Sequence, residues 1–262
     1  MIVFLLFIIG LCVGSFLNVL IDRIPNDESP LAGRSYCDHC KKTLRWHNMV
    51  PLLSFALLKG KCRYCRTSIS FYYPLVELVT GIMFVIVFFF LIESRIMNHE
   101  SWFTNFEFII NYFYYALILS SFIVIFFTDL KYGIIPDKIV YPAVAAAAIF
   151  NFQFSIFNFI FSAIGAFIFF LLLYLITRGK GMGFGDVKLA FLLGIVLGFP
   201  KIIVAFYLAF LTGAIVGSIL IIWGKKKLKS AIPFGPFLIL GAALSIFFGE
   251  KILQLVLHLL NF

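Results

Sequence analysis

Long hydrophobic stretches separated by short polar segments run along most of this chain. An α-helix of about 20 apolar residues crosses the hydrocarbon core of a bilayer, and a helix satisfies its backbone hydrogen bonds internally. The pattern therefore predicts an all-α polytopic membrane protein with about eight transmembrane helices. The eight stretches cover residues 1–21, 74–92, 107–128, 139–151, 156–177, 187–199, 202–223 and 232–248. A last apolar segment, 252–260, is interpreted as the tail of the eighth span, a short ninth element or an interfacial helix.

The composition of the chain agrees with this interpretation. Of its 262 residues, 63% are hydrophobic and 13% are charged, whereas soluble domains contain about 45–50% apolar and about 25% charged residues. The mean hydropathy is +1.07. These values exclude a water-soluble globule, a disordered chain, a coiled coil and a collagen-like chain.

One substantial polar segment interrupts the hydrophobic pattern directly after the first stretch. We therefore divide the chain into a first transmembrane helix (1–21), a polar insert (22–73) and a transmembrane core (74–262). A secretory signal would carry basic residues before its apolar stretch. No Lys or Arg precedes the first stretch here, so we interpret it as a helix that is retained in the protein.

The distribution of basic residues predicts the orientation in the membrane. With the N-terminus outside, 18 of the 21 Lys and Arg residues fall on one side, in the segments 22–73, 129–138, 178–188 and 224–230. Basic residues collect in cytoplasmic loops, so the insert is expected to be cytoplasmic. The net charge of +9 thus reflects topology and contact with membrane lipid. Nucleic acid is not an expected partner, because no groove of basic and aromatic residues is visible.

The insert contains two Cys-x-x-Cys turns, which predict a metal site. Two such turns supply four thiolates, the ligand set of a closed tetrahedral zinc site. A cytoplasmic location argues against disulfides. The alternatives are free thiols in a surface loop or a redox pair. The four candidate zinc ligands are Cys37, Cys40, Cys62 and Cys65.

Acidic residues at the ends of predicted spans are the candidate catalytic groups, since acids at membrane depth are costly and usually functional. Asp129 closes the third stretch and Asp186 precedes the sixth, both on the predicted cytoplasmic side. Two carboxyl groups brought together do not both ionise easily. One can then take a proton from water while the other polarises a peptide carbonyl. Alternatively, both aspartates are helix caps or partners of helix dipoles.

The loops around these aspartates contain further candidate residues. Glycines on both sides of Phe184 would let the backbone approach a substrate strand closely. The alternating glycines do not form a dinucleotide fingerprint, and no strand precedes them. The candidate loop residues are Gly183, Gly185, Asp137 and Lys188.

Three polar residues beside the insert have two interpretations. In the structural one, Asn18 bonds another helix, and Glu77 caps a backbone group or pairs with Arg23. In the functional one, Asn18, Arg23 and Glu77 line a functional site, because polar residues within a membrane often mark function.

An ordered set of motifs along the chain resembles the type IV prepilin peptidases, a family of GxGD-type intramembrane aspartyl proteases. The resemblance covers nearly the whole chain. Its motifs lie at residues 14–19, 23–25, 33–35, 51–54, 69–70, 73–77, 135–137 and 183–188, together with Asp129 and both Cys-x-x-Cys turns.

The resemblance implies a function, a location and cofactors. It implies that Asp129 and Asp186 are the protease pair, with Asp137 as a neighbour, in a bacterial cytoplasmic (inner) membrane protein. The implied substrates are prepilins and pseudopilins, whose short basic leader is cut on the cytoplasmic side. Many members then methylate the new N-terminal residue with S-adenosylmethionine, an activity associated with the N-terminal half. The resemblance thus implies that a functional site at Asn18, Arg23 and Glu77 would be a peptide or methyl-donor site.

Three other functions compete with this interpretation. One is a peptidase without methyltransferase activity. Another is a proton-coupled transporter, which would predict polar residues or broken helices near mid-membrane, whereas Asp129 and Asp186 lie at predicted span ends. The last is a non-catalytic zinc-bearing membrane scaffold, in which both aspartates would be dispensable.

Overall fold

The fold is known from a computed structural model that describes residues 1–37, 39–97, 105–151, 156–223 and 232–259. Within these ranges the chain forms α-helices, two short 3₁₀ turns and two isolated β-bridges. The helices are α1 (Ile2–Arg23), α2 (Leu53–Leu57), α3 (Tyr72–Met97), α4 (Asn105–Tyr132), α5 (Asp137–Asn151), α6 (Ile156–Thr177), α7 (Phe184–Leu197), α8 (Lys201–Ile222) and α9 (Gly235–Leu259).

The predicted all-α architecture is confirmed, because every one of the eight hydrophobic stretches is a helix. The prediction for α6 matches its observed bounds. The others differ by up to five residues at their ends, except that α9 continues eleven residues beyond the predicted end of its stretch. Helix α9 continues to Leu259, so the last apolar segment is the tail of the eighth predicted span. The short helix α2 lies in the polar insert.

Six of the described helices are long and apolar enough to cross a membrane: α1, α3, α4, α6, α8 and α9. Helices α5 and α7 have 15 and 14 residues and are shorter than a full span. Large apolar side chains such as Phe157 and Ile176 are exposed along the long helices, as expected where lipid replaces water. The chain is therefore a multi-pass membrane protein. The basic segment 224–230, used above to predict orientation, lies outside the described residues.

The chain divides into two compact units, Met1–Val124 and Ile125–Phe262. In the first, α1 packs along α3 through glycines. A Cβ atom on Gly14 would lie 2.7 Å from the Cα atom of Glu77, and one on Gly10 would lie 2.8 Å from that of Gly81. Small residues spaced four apart allow this close backbone approach between membrane helices.

In the second unit, α6 packs against α7 and α8 packs against α9. A side chain at Gly194 would collide with the backbone of Ala163, so these helices also approach closely. The start of α9 contacts the end of α4, and the starts of α5 and α7 contact each other, through the polar contacts described below. Both candidate aspartates lie at these helix ends.

Candidate functional site

The four cysteines of the insert form one cluster. Their sulfur atoms all lie within 4.8 Å of one another, and the Sγ atoms of Cys37 and Cys65 are 3.9 Å apart. Four sulfurs about 2.3 Å from one tetrahedral zinc ion would be about 3.8 Å from each other. The structure thus brings together all four predicted ligands in a cluster that can hold a metal ion.

The two Cys-x-x-Cys turns share one backbone pattern, offset by 25 residues. In each, the first cysteine N–H donates to a carbonyl five residues later, Cys37 to Lys42 and Cys62 to Thr67. The residue after the second cysteine is left-handed in both, with φ of 54° at Lys41 and 59° at Arg66. Sequence reasoning missed this short structural repeat, because only the cysteines are identical between the central parts of the two turns.

One cysteine is prepared for metal binding by a neighbouring hydroxyl group. Hydrogen bonds with the side chain and then the backbone of Thr67 lower the pKa of the Cys65 thiol to about 6. The thiolate is the form that binds a metal. Cys62 is buried and the other three sulfurs are half-buried. This environment fits a metal ion held by four sulfur atoms.

The candidate residue Asp129 lies in the last turn of α4. The helix ends because Gly133 adopts a left-handed conformation, with φ of 67°, and its N–H donates to the carbonyl of Asp129 at 2.9 Å. The carboxyl group is buried, with 5% of the residue exposed. Its Oδ2 atom accepts a hydrogen bond from the N–H of Gly235, the first residue of α9, at 3.0 Å.

The candidate residue Asp186 lies in the first turn of α7. Its Oδ2 atom accepts a hydrogen bond from the N–H of Gly183 at 3.1 Å, so the carboxyl group caps its own helix. The residue is 7% exposed. The capping role considered from the sequence is therefore present, and it does not exclude a second role.

The structure brings Asp129 and Asp186 close enough to interact electrostatically, although 57 residues separate them in the chain. Both are buried, and each has one oxygen held by a backbone N–H. Two carboxyl groups in one poorly solvated place favour the sharing of a single proton. This arrangement is suited to acid–base chemistry.

Next to this pair, Lys188 of α7 forms an ion pair with Asp137 of α5. Its Nζ atom lies 2.7 and 2.8 Å from the two carboxylate oxygens. The same ammonium group lies 5.4 Å from the ring centroid of Phe184. Asp137 is thus bound to a cation and about half exposed, unlike the two buried aspartates.

The two glycines that flank Phe184 have different surroundings. A Cβ atom on Gly185 would lie 3.1 Å from Cβ of Ile135, so this glycine accommodates the loop between α4 and α5. A Cβ atom on Gly183 would meet only ordinary contacts, the nearest at 3.6 Å. Gly185 therefore serves packing within the chain.

In the first unit, Asn18 and Glu77 are buried on the facing helices α1 and α3. Asn18 donates from Nδ2 to the carbonyl of Tyr73 at 3.1 Å, and its Oδ1 atom has no hydrogen-bond partner among the described residues. Glu77 accepts a hydrogen bond from the N–H of Leu52 at 2.9 Å. Leu52 has a left-handed φ of 57°, which is strained for this residue type.

The third residue of this group, Arg23, organises the start of the insert. Its guanidinium group donates to the carbonyls of Ser29, Ala32 and Arg34 at 2.7–3.1 Å. These three bonds hold the loop after α1, which indicates a structural role for Arg23.

Sequence reasoning missed one residue of the aspartate site, Gly235. It lies 106 residues after Asp129, so no local spacing connects the two. The available signal was a glycine between Phe234 and Pro236 at the start of the last predicted span.

Comparison with known proteins identifies two matching families of domains. Residues 8–91 match the bacterial peptidase A24 N-terminal domain, and residues 116–218 match the type IV leader peptidase family. No solved structure matches the chain.

Several curated proteins are similar over most of their length. A prepilin leader peptidase/N-methyltransferase of Bacillus subtilis (strain 168) is 33% identical, over 95% of this chain and 96% of that protein. Proteins of the same name from Aeromonas hydrophila and Burkholderia pseudomallei (strain 1026b) are 31% and 32% identical. These alignments cover 95% and 92% of this chain, and 91% and 84% of those proteins.

Proposed function

Because the chain belongs to the type IV leader peptidase family, we propose that it cleaves the leader peptide of type IV prepilins and pseudopilins by an aspartyl-protease mechanism. The observation that carries this proposal is the interacting pair of buried carboxyl groups, Asp129 and Asp186. Their placement at helix ends favours a protease over a transporter, which would carry its polar groups near mid-membrane.

The proposed reaction uses the two carboxyl groups as base and acid. The ionised group takes a proton from water as the water oxygen attacks the scissile carbonyl carbon, and the protonated group gives its proton to the carbonyl oxygen. The tetrahedral intermediate then collapses. The base gives its proton to the leaving nitrogen, the acid regains one from the intermediate, and the C–N bond breaks to leave a carboxyl and an amino terminus.

The residues around the pair support this chemistry by position. Gly183 caps Asp186 through its N–H, and Gly185 admits Ile135 so that the loop after α4 packs on the start of α7. Lys188 and Asp137 neutralise each other's charge in an ion pair, so neither side chain takes part in the reaction. Asp137 is therefore a neighbour of the pair and takes no part in proton transfer.

Methylation of the new N-terminus by S-adenosylmethionine is the second proposed activity, and the names of the similar proteins support it. The Oδ1 atom of Asn18, which has no hydrogen-bond partner in the described part of the chain, and the buried carboxyl group of Glu77 are acceptors that fit a positively charged group. They would hold the methyl donor or the peptide amino group. The donor, when bound, supplies an electrophilic methyl group. Arg23 supports this region by ordering the adjoining loop.

For the insert, we propose zinc as the metal ion and a structural role. Four thiolates are a typical closed zinc set and leave no position open for water. The proposed division of the chain is the first helix (1–21), the zinc insert (22–73) and the peptidase core (74–262).

The proposed location is the bacterial inner membrane, with the N-terminus outside and the insert in the cytoplasm. The asymmetry of basic residues supports this orientation. The contacts of the second unit are compatible with it, since the segments 129–138 and 178–188 meet through Asp137 and Lys188. Membrane lipid surrounds the spans, and we expect no nucleic-acid partner.

The test is mass spectrometry of a prepilin N-terminus after incubation with the purified full-length protein, with and without S-adenosylmethionine. We expect loss of the leader in both samples and an added methyl group only with the donor. Cleavage without methylation would leave a peptidase alone. An intact leader under both conditions would contradict the proposed function and favour a scaffold.

A further inference from the structure

The side chain of Asp129 is held by a helix far from it in the chain. Gly235, which begins α9, donates its N–H to Oδ2 of Asp129 at 3.0 Å in a buried contact. The first N–H groups of a helix have no partner within the helix, and its N-terminus carries a partial positive charge. Oδ2 of Asp129 therefore lies at the partly positive N-terminus of α9.

This contact leaves no space for a side chain at position 235. A Cβ atom there would lie 2.6 Å from Oδ2 and 3.2 Å from Cγ of Asp129. At Gly183, which makes the equivalent bond to Asp186, the nearest atom would be 3.6 Å away. The two carboxyl groups thus have similar donors, but only at Gly235 would an added side chain displace the carboxyl group that the N–H binds.

The residue before Gly235 is fixed by aromatic packing. The ring centroid of Phe234 lies 5.2 Å from that of Phe210, 6.2 Å from that of Phe237 and 6.4 Å from that of Phe170. These rings belong to α6, α8 and α9. Three helices therefore fix the position of the N–H group that Asp129 meets.

We propose that Gly235 is a positioning residue for leader cleavage. Its N–H occupies Oδ2 of Asp129, so that the other oxygen, Oδ1, is the one that exchanges a proton in the reaction. This inference rests on the proposed function of the aspartate pair. Gly235 lies beyond residue 218, where the match to the peptidase family ends, and it adds a third helix to the site.

The test compares Gly235→Ala with Gly217→Ala in the full-length protein. At Gly217 a Cβ atom would meet, among the described residues, only Cδ1 of Ile232, at 3.8 Å. We expect Gly235→Ala to lower kcat for prepilin cleavage about 100-fold, the loss that a misplacement of about 1 Å causes. KM should be unchanged, because Gly235 contacts the carboxyl group and not the substrate. Gly217→Ala should keep both constants within about twofold.

Thermal unfolding of both variants separates a positional effect from a folding defect. If Gly235→Ala does not fold, Phe234→Leu is the test variant, because it weakens the aromatic packing around the N–H group and keeps the glycine. For Phe234→Leu we expect a lower kcat with KM unchanged. A wild-type kcat in a folded Gly235→Ala variant would overturn the inference. If Gly235→Ala does not fold, a wild-type kcat in Phe234→Leu would overturn it. Absence of cleavage by the unsubstituted protein would instead overturn the proposed function.

Discussion

The cysteine cluster and the aspartate pair are assembled in different ways. All four sulfurs come from one polar segment of 29 residues, and each pair is placed by a short turn with its own hydrogen bonds. Asp129 and Asp186 come from the ends of two helices that are far apart in the sequence. A third helix supplies a hydrogen-bond donor to Asp129. Local spacing therefore encodes the cluster, whereas helix packing creates the pair.

The two regions also differ in what their side chains leave available. In the cluster, four sulfurs around one metal ion would leave no coordination position for a reactant. In the pair, one oxygen of each carboxyl group accepts a hydrogen bond from a backbone N–H, and we propose that the other oxygen takes part in the reaction. Substitutions in the cluster should thus affect folding first, and those in the pair should affect catalysis first.

The largest effect is expected at the pair itself. Asp129→Asn and Asp186→Asn keep the shape of the side chain but remove the ionisable group, so each should lower leader cleavage by at least about 10⁴-fold. The double variant should be hardly worse, because the two groups act as a unit. Initial rates on a purified prepilin measure this effect, and metal content should not change.

The matched control is Glu250→Gln, an exposed acid of the same unit that pairs with Lys201 at 2.8 Å. It should cleave at the wild-type rate. Full cleavage by Asp186→Asn would refute the assignment of the pair. Methyl transfer to a pre-cleaved peptide should persist in both single aspartate variants.

The second effect concerns the cluster and should spare the chemistry of the pair. Replacing both Cys37 and Cys62 by Ser should remove the metal, about one zinc per chain, and expose the insert to protease. The reason is that structural zinc contributes about 10 kcal/mol or more to folding. Elemental analysis and limited proteolysis measure the two results.

Cys12→Ser is the control for this variant, because Cys12 lies on α1 away from the cluster and is exposed. It should retain the metal. Unchanged metal content in the double cysteine variant would exclude the cluster as the metal site, and a stripped protein with a protected insert would exclude the structural role.

A smaller effect is expected at the ion pair beside the aspartates. Asp137→Asn should reduce cleavage by about fivefold or less, because a partly exposed ion pair contributes about 1 kcal/mol. Lys188→Gln should lose a similar amount, and the double variant no more than either. Loss of cleavage as complete as in Asp129→Asn would move Asp137 into the catalytic set.

The smallest effect should be a local one, at the contact between α3 and the insert. Glu77→Leu leaves the N–H of Leu52 without its acceptor, at a cost of about 1–3 kcal/mol. Proteolysis near α2 should become faster, with the metal retained. Glu77→Gln keeps an acceptor oxygen and serves as the control. Equal protease sensitivity of the two variants would show that this bond does not hold the insert.

The sequence was sufficient to predict those elements that depend on residues close together in the chain. The bounds of α6 and the four cysteines follow from hydrophobic runs and ligand spacing, and both appear in the structure as expected. The placement of Asp129 and Asp186 at helix ends was also predicted, since each lies next to a change from apolar to polar residues.

Contacts between distant segments were not predictable in the same way. The bond from Gly235 to Asp129 and that from Leu52 to Glu77 depend on how helices and loops pack. No periodicity or motif relates these pairs. Arg23, considered as a partner of Glu77, instead donates to three carbonyls of its own loop, because the chain turns back on it after α1.

The position of the cysteine cluster between α1 and α3 bears on the order of events during synthesis. The last ligand, Cys65, precedes the start of α3 at Tyr72, so the ribosome completes the ligand set before it makes the second long helix. If the insert lies in the cytoplasm, as proposed, a metal ion would close both turns while only α1 is in the bilayer. A folded, charged insert cannot easily cross the membrane, so early metal capture would fix the direction of α1 before later helices enter.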